Sequence, residues 1–405
     1  MLHWFAKKEK DLLIAQNCSY SMNTRETQLN NNVLVVGSSG CGKTRSIVSP
    51  NIQKAVGSYI ISDPKGNLYE KHRKHLLKQG YKVRKLDFIN PEKSIHYNPL
   101  AYIHTPKDVK TIAHSLIYNG SDRSNQDPYW PQAAEELLTA LIGYIWKNSI
   151  EEERTIETLI TFLVNIEIRE EDEDYKCAVD VMFEEYAENG GESWIVNAYK
   201  SFSNNSGRTK KCIRNEANTA IGGFDFPEIN QMMRDDGVQI EKIGQEKQAL
   251  FVVVSDNDRS MDILANLFFT QAIHELCSVA DTIFGGRLPI HVRFIMDDFA
   301  TNVKISDFPR MISSFRSREI SCMLIIQAES QLVSYYHEDA NTVITNCDTY
   351  VYLGGSDIVT ARNVGERTGY SMRSILYMPI KKVWVFRRGC KPVQTWQLRI
   401  NNGMY

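Results

Sequence analysis

The feature that most constrains this chain is a short apolar run that ends in a glycine-rich loop. Val33–Val36 precedes Gly37, Gly42, Lys43 and Thr44, which match the pattern G-x-x-x-x-G-K-[ST]. Such a loop lets backbone N–H groups surround a phosphate, while the lysine reaches the β- and γ-phosphates and the hydroxyl binds Mg²⁺. The motif predicts a nucleotide site without distinguishing a kinase, a GTPase, a transporter or a motor. The predicted phosphate-binding residues are Gly37, Ser38, Ser39, Gly40, Cys41, Gly42, Lys43 and Thr44.

Two later apolar runs end in polar residues that suit a nucleotide site. Val292–Met296 precedes Asp297 and Asp298, and Met323–Ile326 precedes Gln327. An acidic residue at the end of a strand downstream of a phosphate loop predicts a Mg²⁺ ligand, here Asp297 acting through water. A second carboxylate can orient the attacking water, and an amide on the next strand can sense the γ-phosphate. This series of strands is typical of RecA-like motors.

Arg316 and Arg318 precede the strand that ends in Gln327. An exposed arginine at this place could reach the nucleotide of a neighbouring subunit as an arginine finger. An ordinary surface arginine is an equally good interpretation of the pattern, and the sequence leaves both open.

Composition places the chain among ordinary globular proteins. It has 405 residues, of which 42% are hydrophobic and 24% charged, and its net charge of −2 argues neither for nor against nucleic acid. This length predicts two or three domains. The eight cysteines are scattered without a C-x-x-C, which indicates a reducing cytosol. No signal peptide is recognisable, and we take Leu137–Trp146 as the longest helical apolar stretch. It is short of the ~20 residues of a membrane span, so we expect no crossing.

The order of apolar patterns predicts an α/β domain interrupted by an all-α insertion. Residues 1–118 and 240–405 carry the strand-like runs, whereas residues 119–239 carry apolar residues at helical spacing. Asn119–Asp127 is polar and is interpreted as a linker. The further predicted strands are Ser58–Ser62, Val83–Phe88, Ala249–Val254 and Thr349–Leu353, with a hairpin in Val383–Ile400 near Gly389.

Charge is distributed unevenly. Glu151–Glu192 holds fifteen acidic residues, a surface that would repel DNA and suits a basic protein partner, although a plain solvated surface is the more common explanation of such a run. The basic run Lys71–Lys85 is compatible with either a DNA-facing surface or a solvated amphipathic helix. Within it, His72 and His75 lie among lysines and arginines, so we expect them on a solvated face and not in a metal site.

Together these motifs resemble the TraG/VirD-type coupling proteins of conjugative type IV secretion, in the form found on Gram-positive mobile elements. The resemblance extends from about Asn31 to Gly369. The matching stretches are Asn31–Val33, Gly37–Thr44, Asp63–Gly66, Tyr97–Leu100, Asp127–Trp130, Asp297–Ala300, Arg316–Ile320, Gln327, Asn346–Asp348 and Leu353–Gly354.

The resemblance implies a RecA-like P-loop domain with an inserted all-α domain, and a homo-hexameric ring with ATP and Mg²⁺ bound between subunits. It implies DNA-stimulated ATP hydrolysis that delivers a relaxase–DNA substrate to the secretion channel, with the substrate bound by the all-α domain. By position, Thr44 and Asp297 would hold Mg²⁺, Gln327 would sense the γ-phosphate and Arg316 would be the finger. The expected location is the cytoplasm, at the inner face of the membrane through partners.

Two departures from the family pattern leave alternatives open. The family usually has Asp-Glu where this chain has Asp297 and Asp298, so the second carboxylate is one methylene shorter. The chain would then be a slow ATPase or an ATP-binding substrate receptor that hydrolyses poorly. The family also usually carries N-terminal membrane helices that are not recognisable here, so we expect either that a separate membrane subunit recruits the chain or that the chain is a shortened member. A third alternative is a cytosolic DNA translocase of the FtsK/HerA kind. The role of the segment after Gly369 stays open.

Overall fold

The computed structural model describes residues 11–118, 127–172, 175–301, 303–305 and 307–398. The predicted linker Asn119–Asp127 therefore lies outside the described residues except for its last position. The strands are β1 (Asp11–Ala15), β2 (Cys18–Ser21), β3 (Val33–Val36), β4 (Ser58–Pro64), β5 (Lys82–Asp87), β6 (Gln248–Val254), β7 (Val292–Met296), β8 (Ile320–Ile326), β9 (Thr349–Tyr352), β10 (Lys382–Arg387) and β11 (Val393–Trp396).

The helices in the amino-terminal half are short around the glycine-rich loop and longer beyond it. They are α1 (Thr24–Thr27), α2 (Ser49–Lys54), α3 (Asn67–Lys78), α4 (Pro106–Tyr118), α5 (Tyr129–Asn148), α6 (Ile156–Val164), α7 (Ala178–Glu188), α8 (Ser193–Ser203), α9 (Gly207–Ile221) and α10 (Pro227–Met232). A π-helical turn, Thr44–Val48, leads into α2. The later helices are α11 (Asp262–Thr282), α12 (Phe308–Met311), α13 (Glu329–Tyr336), α14 (Ala340–Thr345), α15 (Ile358–Thr368) and α16 (Met372–Leu376).

Among the described residues the larger sheet has nine strands in the order β11-β10-β9-β3-β8-β7-β4-β6-β5. The pairs β9–β3, β3–β8, β8–β7, β7–β4 and β4–β6 are parallel, so the carboxyl ends of these strands meet at one edge. The hairpin of β10 and β11 is antiparallel and extends the sheet beyond β9. All four residues of β3 are fully buried, as expected for a β-branched run covered on both faces.

The described residues form two compact units, and the division falls within β5 and α11. The first unit comprises the residues up to Lys85, Ile240–Asp256 and the chain from Ile273 onward, and it contains the nucleotide-loop strand and most of the sheet. The second unit comprises Leu86–Gln239 and Asn257–Ala272. Its core helices are amphipathic: in α5, for example, Leu137, Leu141 and Ile145 are fully buried.

Every strand predicted from the sequence is present, and the described residues of 127–239 contain helices without a strand. Residues 399 and 400 of the predicted hairpin lie outside the description. The compact helical unit begins at residue 86 rather than 119, because α4 packs against α5. The assignment of 119–239 as a separate functional domain stays a prediction.

Three features differ from the sequence interpretation. The antiparallel hairpin of β1 and β2 was not predicted. The longest apolar helix is α11 and not Leu137–Trp146; it is long and apolar enough to span a membrane, but 72% of its apolar window is buried, as in the core helix of a soluble protein. His72 is fully buried rather than solvated, because it lies on the inner face of α3 with Leu68 and Leu76.

Candidate nucleotide site

The carboxyl edge of the sheet carries a cavity of about 650 Å³, a size typical of small-molecule sites. It lies in the first compact unit, at the ends of β3, β8, β7, β4 and β6. The residues lining it are Ser39, Gly40, Gly42, Lys43, Thr44, Arg45, Ser49, Asp63, Pro64, Lys65, Asn67, Leu68, Lys71, Asp256, Asp297, Asp298 and Gln327. Eight of the residues predicted for the site therefore share one cavity, although they come from three separate parts of the sequence.

The loop after β3 is held by backbone hydrogen bonds from its neighbours in the sheet. The N–H of Gly37 donates to the carbonyl of Ile326 at 3.1 Å, and the N–H of Ser38 donates to the carbonyl of Gly354 at 3.0 Å. A Cβ at Gly37 would lie 2.6 Å from the Cys41 Sγ and 3.0 Å from the Leu353 Cβ, so a larger residue there would force neighbouring side chains to shift. Gly42 has a φ of 93°, which also favours glycine. The loop conformation thus follows from the spacing of its glycines.

Lys43 lies against the loop that precedes it. Its Nζ donates to the carbonyl of Gly37 at 2.6 Å and to that of Ser38 at 3.2 Å, and only 9% of the residue is exposed. The ammonium group is therefore positioned by the curve of the loop, where a phosphate inside the loop would meet it. Burial raises the pKa of the neighbouring Cys41 thiol, which keeps that side chain neutral.

Thr44 and Asp297 meet across the cavity although they are far apart in sequence. The Thr44 hydroxyl donates to the Asp297 Oδ2 at 3.0 Å. Burial raises the pKa of Asp297, and the charge of Asp298 raises it further. A hydroxyl and a buried carboxylate in contact are the donors that Mg²⁺ takes in phosphate sites. A divalent cation would also offset the burial and the repulsion that raise this pKa, so the donor set fits Mg²⁺.

Asp298 occupies a strained backbone position next to Asp297. Its φ is 53°, in the left-handed region that non-glycine residues rarely adopt, and its N–H donates to the Asp297 Oδ1 at 3.2 Å. The following residue, Phe299, is fully buried against Phe308 and so anchors the turn. The turn directs the half-buried Asp298 side chain into the cavity.

Gln327 directly follows β8 at the same edge and is exposed to the cavity. Its backbone N–H donates to the Gln331 Oε1 at 2.8 Å, and Gln331 in turn donates to the Thr301 hydroxyl at 3.1 Å. The turn after β7, which carries Thr301, is thus linked to the end of β8. A displacement of either turn would therefore strain or break the hydrogen bonds that join it to the other.

Arg316 does not lie with these residues. It precedes β8 at the opposite edge of the sheet and is not among the described residues that line the cavity. Its guanidinium donates to the Gln28 Oε1 at 3.0 Å and to the carbonyl of Thr24 at 3.3 Å. Arg318 is instead bound to Asp281 by a bidentate ion pair, with a shortest distance of 2.7 Å. Any action of Arg316 on a nucleotide would have to be on a neighbouring subunit.

Three further residues line the cavity or bond to the loop without belonging to the nucleotide motif. Lys65 and Asp256 line the cavity and form an ion pair of 2.7 Å. The position of Lys65 in a turn at the end of a predicted strand was a usable signal. Gln397 follows β11 and donates from Nε2 to the carbonyl of Cys41 at 2.9 Å. No sequence pattern indicates that contact, because it joins residues 356 positions apart.

Asp63 also lines the cavity, but its carboxylate has a structural task. One oxygen accepts from the N–H of Leu68 at 2.9 Å and the other from the N–H of Tyr69 at 2.8 Å. N–H groups in the first turn of a helix such as α3 have no carbonyl partner within the helix. A carboxylate that accepts from them also interacts favourably with the helix dipole. Asp63 therefore fixes the turn between β4 and α3.

Comparison with known proteins identifies the family. The model of the family "Type IV secretory system Conjugative DNA transfer" matches residues 5–375. The chain belongs to this family. Protein VirD4 of Rhizobium radiobacter is 24% identical over 361 residues, which are 85% of this chain and 49% of that protein. Protein VirD4 of Agrobacterium fabrum is 22% identical over 85% of this chain and 51% of its own length. The chain thus spans about half the length of these curated relatives.

Solved structures agree with the fold. The plasmid coupling protein TrwB in complex with ADP and Mg²⁺ has a TM-score of 0.70 and 14% identity, covering 98% of this chain and 90% of that one. TrwB with the ATP analogue ADPNP gives 0.65 over 91% and 86% of the two chains. VirB4 of Thermoanaerobacter pseudethanolicus gives 0.58 at 12% identity over 98% of each chain. The predicted RecA-like P-loop α/β fold and the predicted coupling-protein family are confirmed.

Proposed function

We propose that this chain is an ATPase that drives the transfer of a conjugation substrate into a type IV secretion channel. The observation that carries the proposal is the 3.0 Å hydrogen bond between Thr44 and Asp297 in the cavity that also holds Lys43. It brings together a phosphate-binding lysine and a pair of Mg²⁺ donors. Membership of the conjugative DNA transfer family supplies the task, and TrwB, which has the same fold, is known in complex with ADP and Mg²⁺.

In this proposal each residue of the cavity has one role. The N–H groups of the loop and Lys43 bind the β- and γ-phosphates, while Thr44 and Asp297 hold Mg²⁺. The metal supplies charge neutralisation on the phosphate oxygens during phosphoryl transfer. Asp298 orients the attacking water, and Gln327 reports the presence of the γ-phosphate to the turn after β7.

Arg316 has the role of a finger that acts in trans on a neighbouring subunit of a homo-hexamer. Arg316 lies away from the nucleotide cavity of its own subunit, as a trans role requires. An arginine that contacted its own nucleotide could not reach that of a neighbouring subunit at the same time. Arg316→Ala should leave nucleotide binding intact and lower hydrolysis only in the assembled ring. An equal loss of activity in monomers would exclude the finger role.

The partners follow from the family and from the surface. DNA is the proposed activator, and the helical unit is the proposed receptor for a relaxase or another secreted substrate. Several acidic residues of this unit are paired, such as Glu170 with Lys211 at 2.8 Å, while Glu151–Glu153 form an exposed turn free for a basic partner. We place the protein on the cytoplasmic side of the membrane, with a membrane subunit and the secretion channel as partners.

A hydrolysis-impaired receptor is a second candidate, favoured by Asp298. An aspartate has one methylene fewer than the glutamate usual in the family, and its backbone is held in the left-handed region with a φ of 53°. A base that stands farther from its water transfers the proton less efficiently. Asp298→Glu therefore separates a working motor from an ATP-gated receptor.

The experiment measures ATP turnover of the purified chain with single-stranded DNA, with double-stranded DNA and without DNA, beside Asp298→Glu. Turnover that DNA stimulates in the wild type supports the motor. A silent wild type with an active variant supports the receptor. If neither form turns over ATP and neither binds it, the proposed function is wrong.

A further inference from the structure

The turn after β4 holds a lysine where a glycine would be less strained. Lys65 has a φ of 73° and precedes Gly66, whose φ is 74°. In this region the Cβ of any residue other than glycine crowds the backbone, so glycine or asparagine is preferred. The turn is fixed by hydrogen bonds from the N–H of Lys65 to Val254 at 3.3 Å and from the N–H of Gly66 to Asp63 at 3.1 Å. The lysine side chain must therefore offer something that glycine cannot.

The ion pair of this lysine does not account for the strain. The Lys65 Nζ lies 2.7 Å from the Asp256 Oδ2, but the two side chains are 59% and 31% exposed. Ion pairs between exposed side chains contribute little to stability, because water screens the attraction and two side chains lose freedom. A folding role alone is thus a weak reason for a lysine at this position.

The surroundings of the Lys65 ammonium indicate a nucleotide role. Lys65 and Asp256 line the same cavity as Lys43, Thr44 and Asp298. The hydrogen bond to Asp256 raises the pKa of Lys65, and the charge of Asp298 acts in the same direction. The ammonium group therefore stands within the field of two carboxylates at the wall of a phosphate site. A flexible lysine with one exposed partner can exchange it for a stronger anion.

We propose that Lys65 exchanges Asp256 for the terminal phosphate of a bound nucleoside triphosphate and returns to Asp256 when only the diphosphate remains. This inference rests on the proposed function, because it takes the cavity to be a nucleotide site. A terminal phosphate offers several charged oxygens and competes well with a single exposed carboxylate. The ion pair between the ends of β4 and β6 would then break with the triphosphate and re-form with the diphosphate.

The decisive variant is Lys65→Gly, which removes the amine and relieves the strained backbone. Its melting temperature should equal or exceed that of the wild type, because glycine adopts this φ freely. Its affinity for a non-hydrolysable ATP analogue should fall about tenfold, the loss expected for one charge-assisted hydrogen bond, while ADP affinity changes less than about twofold. Lys78→Ala, which removes an exposed lysine at the end of α3, is the matched control.

Asp256→Asn tests the exchange from the other side. It removes the charge that competes for Lys65, so affinity for the ATP analogue should rise by about two- to threefold. This corresponds to the small free energy of an exposed ion pair, and the affinity for ADP should change little. Both variants are measured by calorimetric titration with the ATP analogue and with ADP in the presence of Mg²⁺. An exchange predicts opposite effects of the two variants on the triphosphate, whereas a structural ion pair predicts effects of the same sign.

The outcomes separate this inference from the function beneath it. If Lys65→Gly loses affinity for the ATP analogue and for ADP equally, the exchange is overturned. A loss of affinity for the ATP analogue in Asp256→Asn would overturn it too. In both cases normal binding by the wild type and by Lys78→Ala leaves the nucleotide site standing. If those two proteins bind neither ligand, the proposed function fails and the exchange fails with it.

Discussion

At the carboxyl edge of the large sheet, polar and charged side chains line a cavity, whereas at the amino edge a carboxylate, an arginine and a histidine bond to one another. Lys65 at the first edge and Glu319 at the second both have a left-handed backbone, with φ of 73° and 60°. Lys65 has one exposed carboxylate partner. Glu319 is nearly buried and binds both Arg287 and His291, the latter at 3.0 Å. The left-handed residue at the amino edge is thus held by two partners, whereas the one at the carboxyl edge has a single, exposed partner.

His291 and His72 show the same contrast. His291 at the amino edge uses both ring nitrogens, with Glu319 at 3.0 Å and with the Ser321 hydroxyl at 2.8 Å. His72, behind the cavity, bonds through Nε2 to the Ser49 hydroxyl at 3.1 Å, and its Nδ1 has no hydrogen-bond partner among the described residues. We infer that the amino edge stabilises the sheet and that the carboxyl edge is kept for a ligand, at some cost in stability.

The largest expected effect is that of Lys43→Ala on nucleotide binding. The Lys43 ammonium group can donate charged hydrogen bonds to two phosphates, and together these are worth several kcal/mol. ATP affinity should therefore fall about a thousandfold. The free energy of unfolding should fall by only about 1 to 2 kcal/mol, because the bonds that are lost go to the buried carbonyl of Gly37 and the partly buried carbonyl of Ser38. Calorimetric titration and urea unfolding measure the two quantities, with Lys54→Ala as the control. Unchanged ATP affinity would refute the assignment of the loop.

The converse effect is expected at the amino edge. Glu319→Ala leaves His291 and Arg287 without their shared carboxylate, and removal of one member of such a buried cluster costs about 3 kcal/mol of unfolding free energy. Nucleotide affinity should be unchanged at a temperature where the variant is folded. Glu338→Ala, at an exposed position, is the control for urea unfolding. A variant that keeps its stability but loses nucleotide would reverse the roles of the two edges.

The contrast between the edges also explains what could be predicted from the sequence. The loop residues and Asp297 follow from motif spacing, because parallel strands bring their carboxyl ends to one edge whatever the distance along the chain. His72 was misplaced because its charged neighbours dominate the local pattern, while its own place on the inner face of α3 depends on tertiary packing. Lys65 was visible only as part of a turn, since its pairing with Asp256 joins separate strands. Long-range contacts of this kind leave no periodicity in the sequence.

A smaller effect concerns the pH dependence of stability. Burial lowers the pKa of His72 to about 4, with a further contribution from Lys71 and His75. The unfolded chain therefore binds a proton between pH 6.5 and 4 that the folded chain does not, and the free energy of unfolding falls as the pH drops through this window. We expect this to cost about 3 kcal/mol between pH 7 and pH 4.

His72→Leu removes that contribution. The difference in unfolding free energy between the wild type and the variant should shift by about 3 kcal/mol in favour of the variant from pH 7 to pH 4. Urea unfolding at pH 7, 5 and 4 measures it, and the comparison cancels the groups that titrate alike in both proteins. Parallel pH profiles would mean that His72 is protonated in the folded state, and hence that this side of the carboxyl edge is better solvated than its packing indicates.

The smallest effect belongs to Gln397, whose amide bonds the carbonyl of Cys41 in the phosphate loop at 2.9 Å. A Cβ at Gly42 would lie 3.1 Å from the Gln397 Oε1, so the side chain also covers the loop closely. Gln397→Ala removes one neutral hydrogen bond to the loop, and we expect about a fivefold loss of ATP affinity, close to 1 kcal/mol. Gln394→Ala, at an exposed position of β11, is the matched control in the same titration.

If Gln397→Ala weakens ATP binding and Gln394→Ala does not, the segment after Gly369 is part of the nucleotide site through its last strand. The functional edge of the sheet would then extend to a hairpin that no motif marks. If instead both variants bind ATP normally and Gln397→Ala merely unfolds at lower urea, the contact is a structural closure of the sheet. In that case nucleotide binding needs only the residues at the carboxyl ends of β3, β4, β6, β7 and β8. The hairpin of β10 and β11 then serves the stability of the sheet and not the nucleotide site.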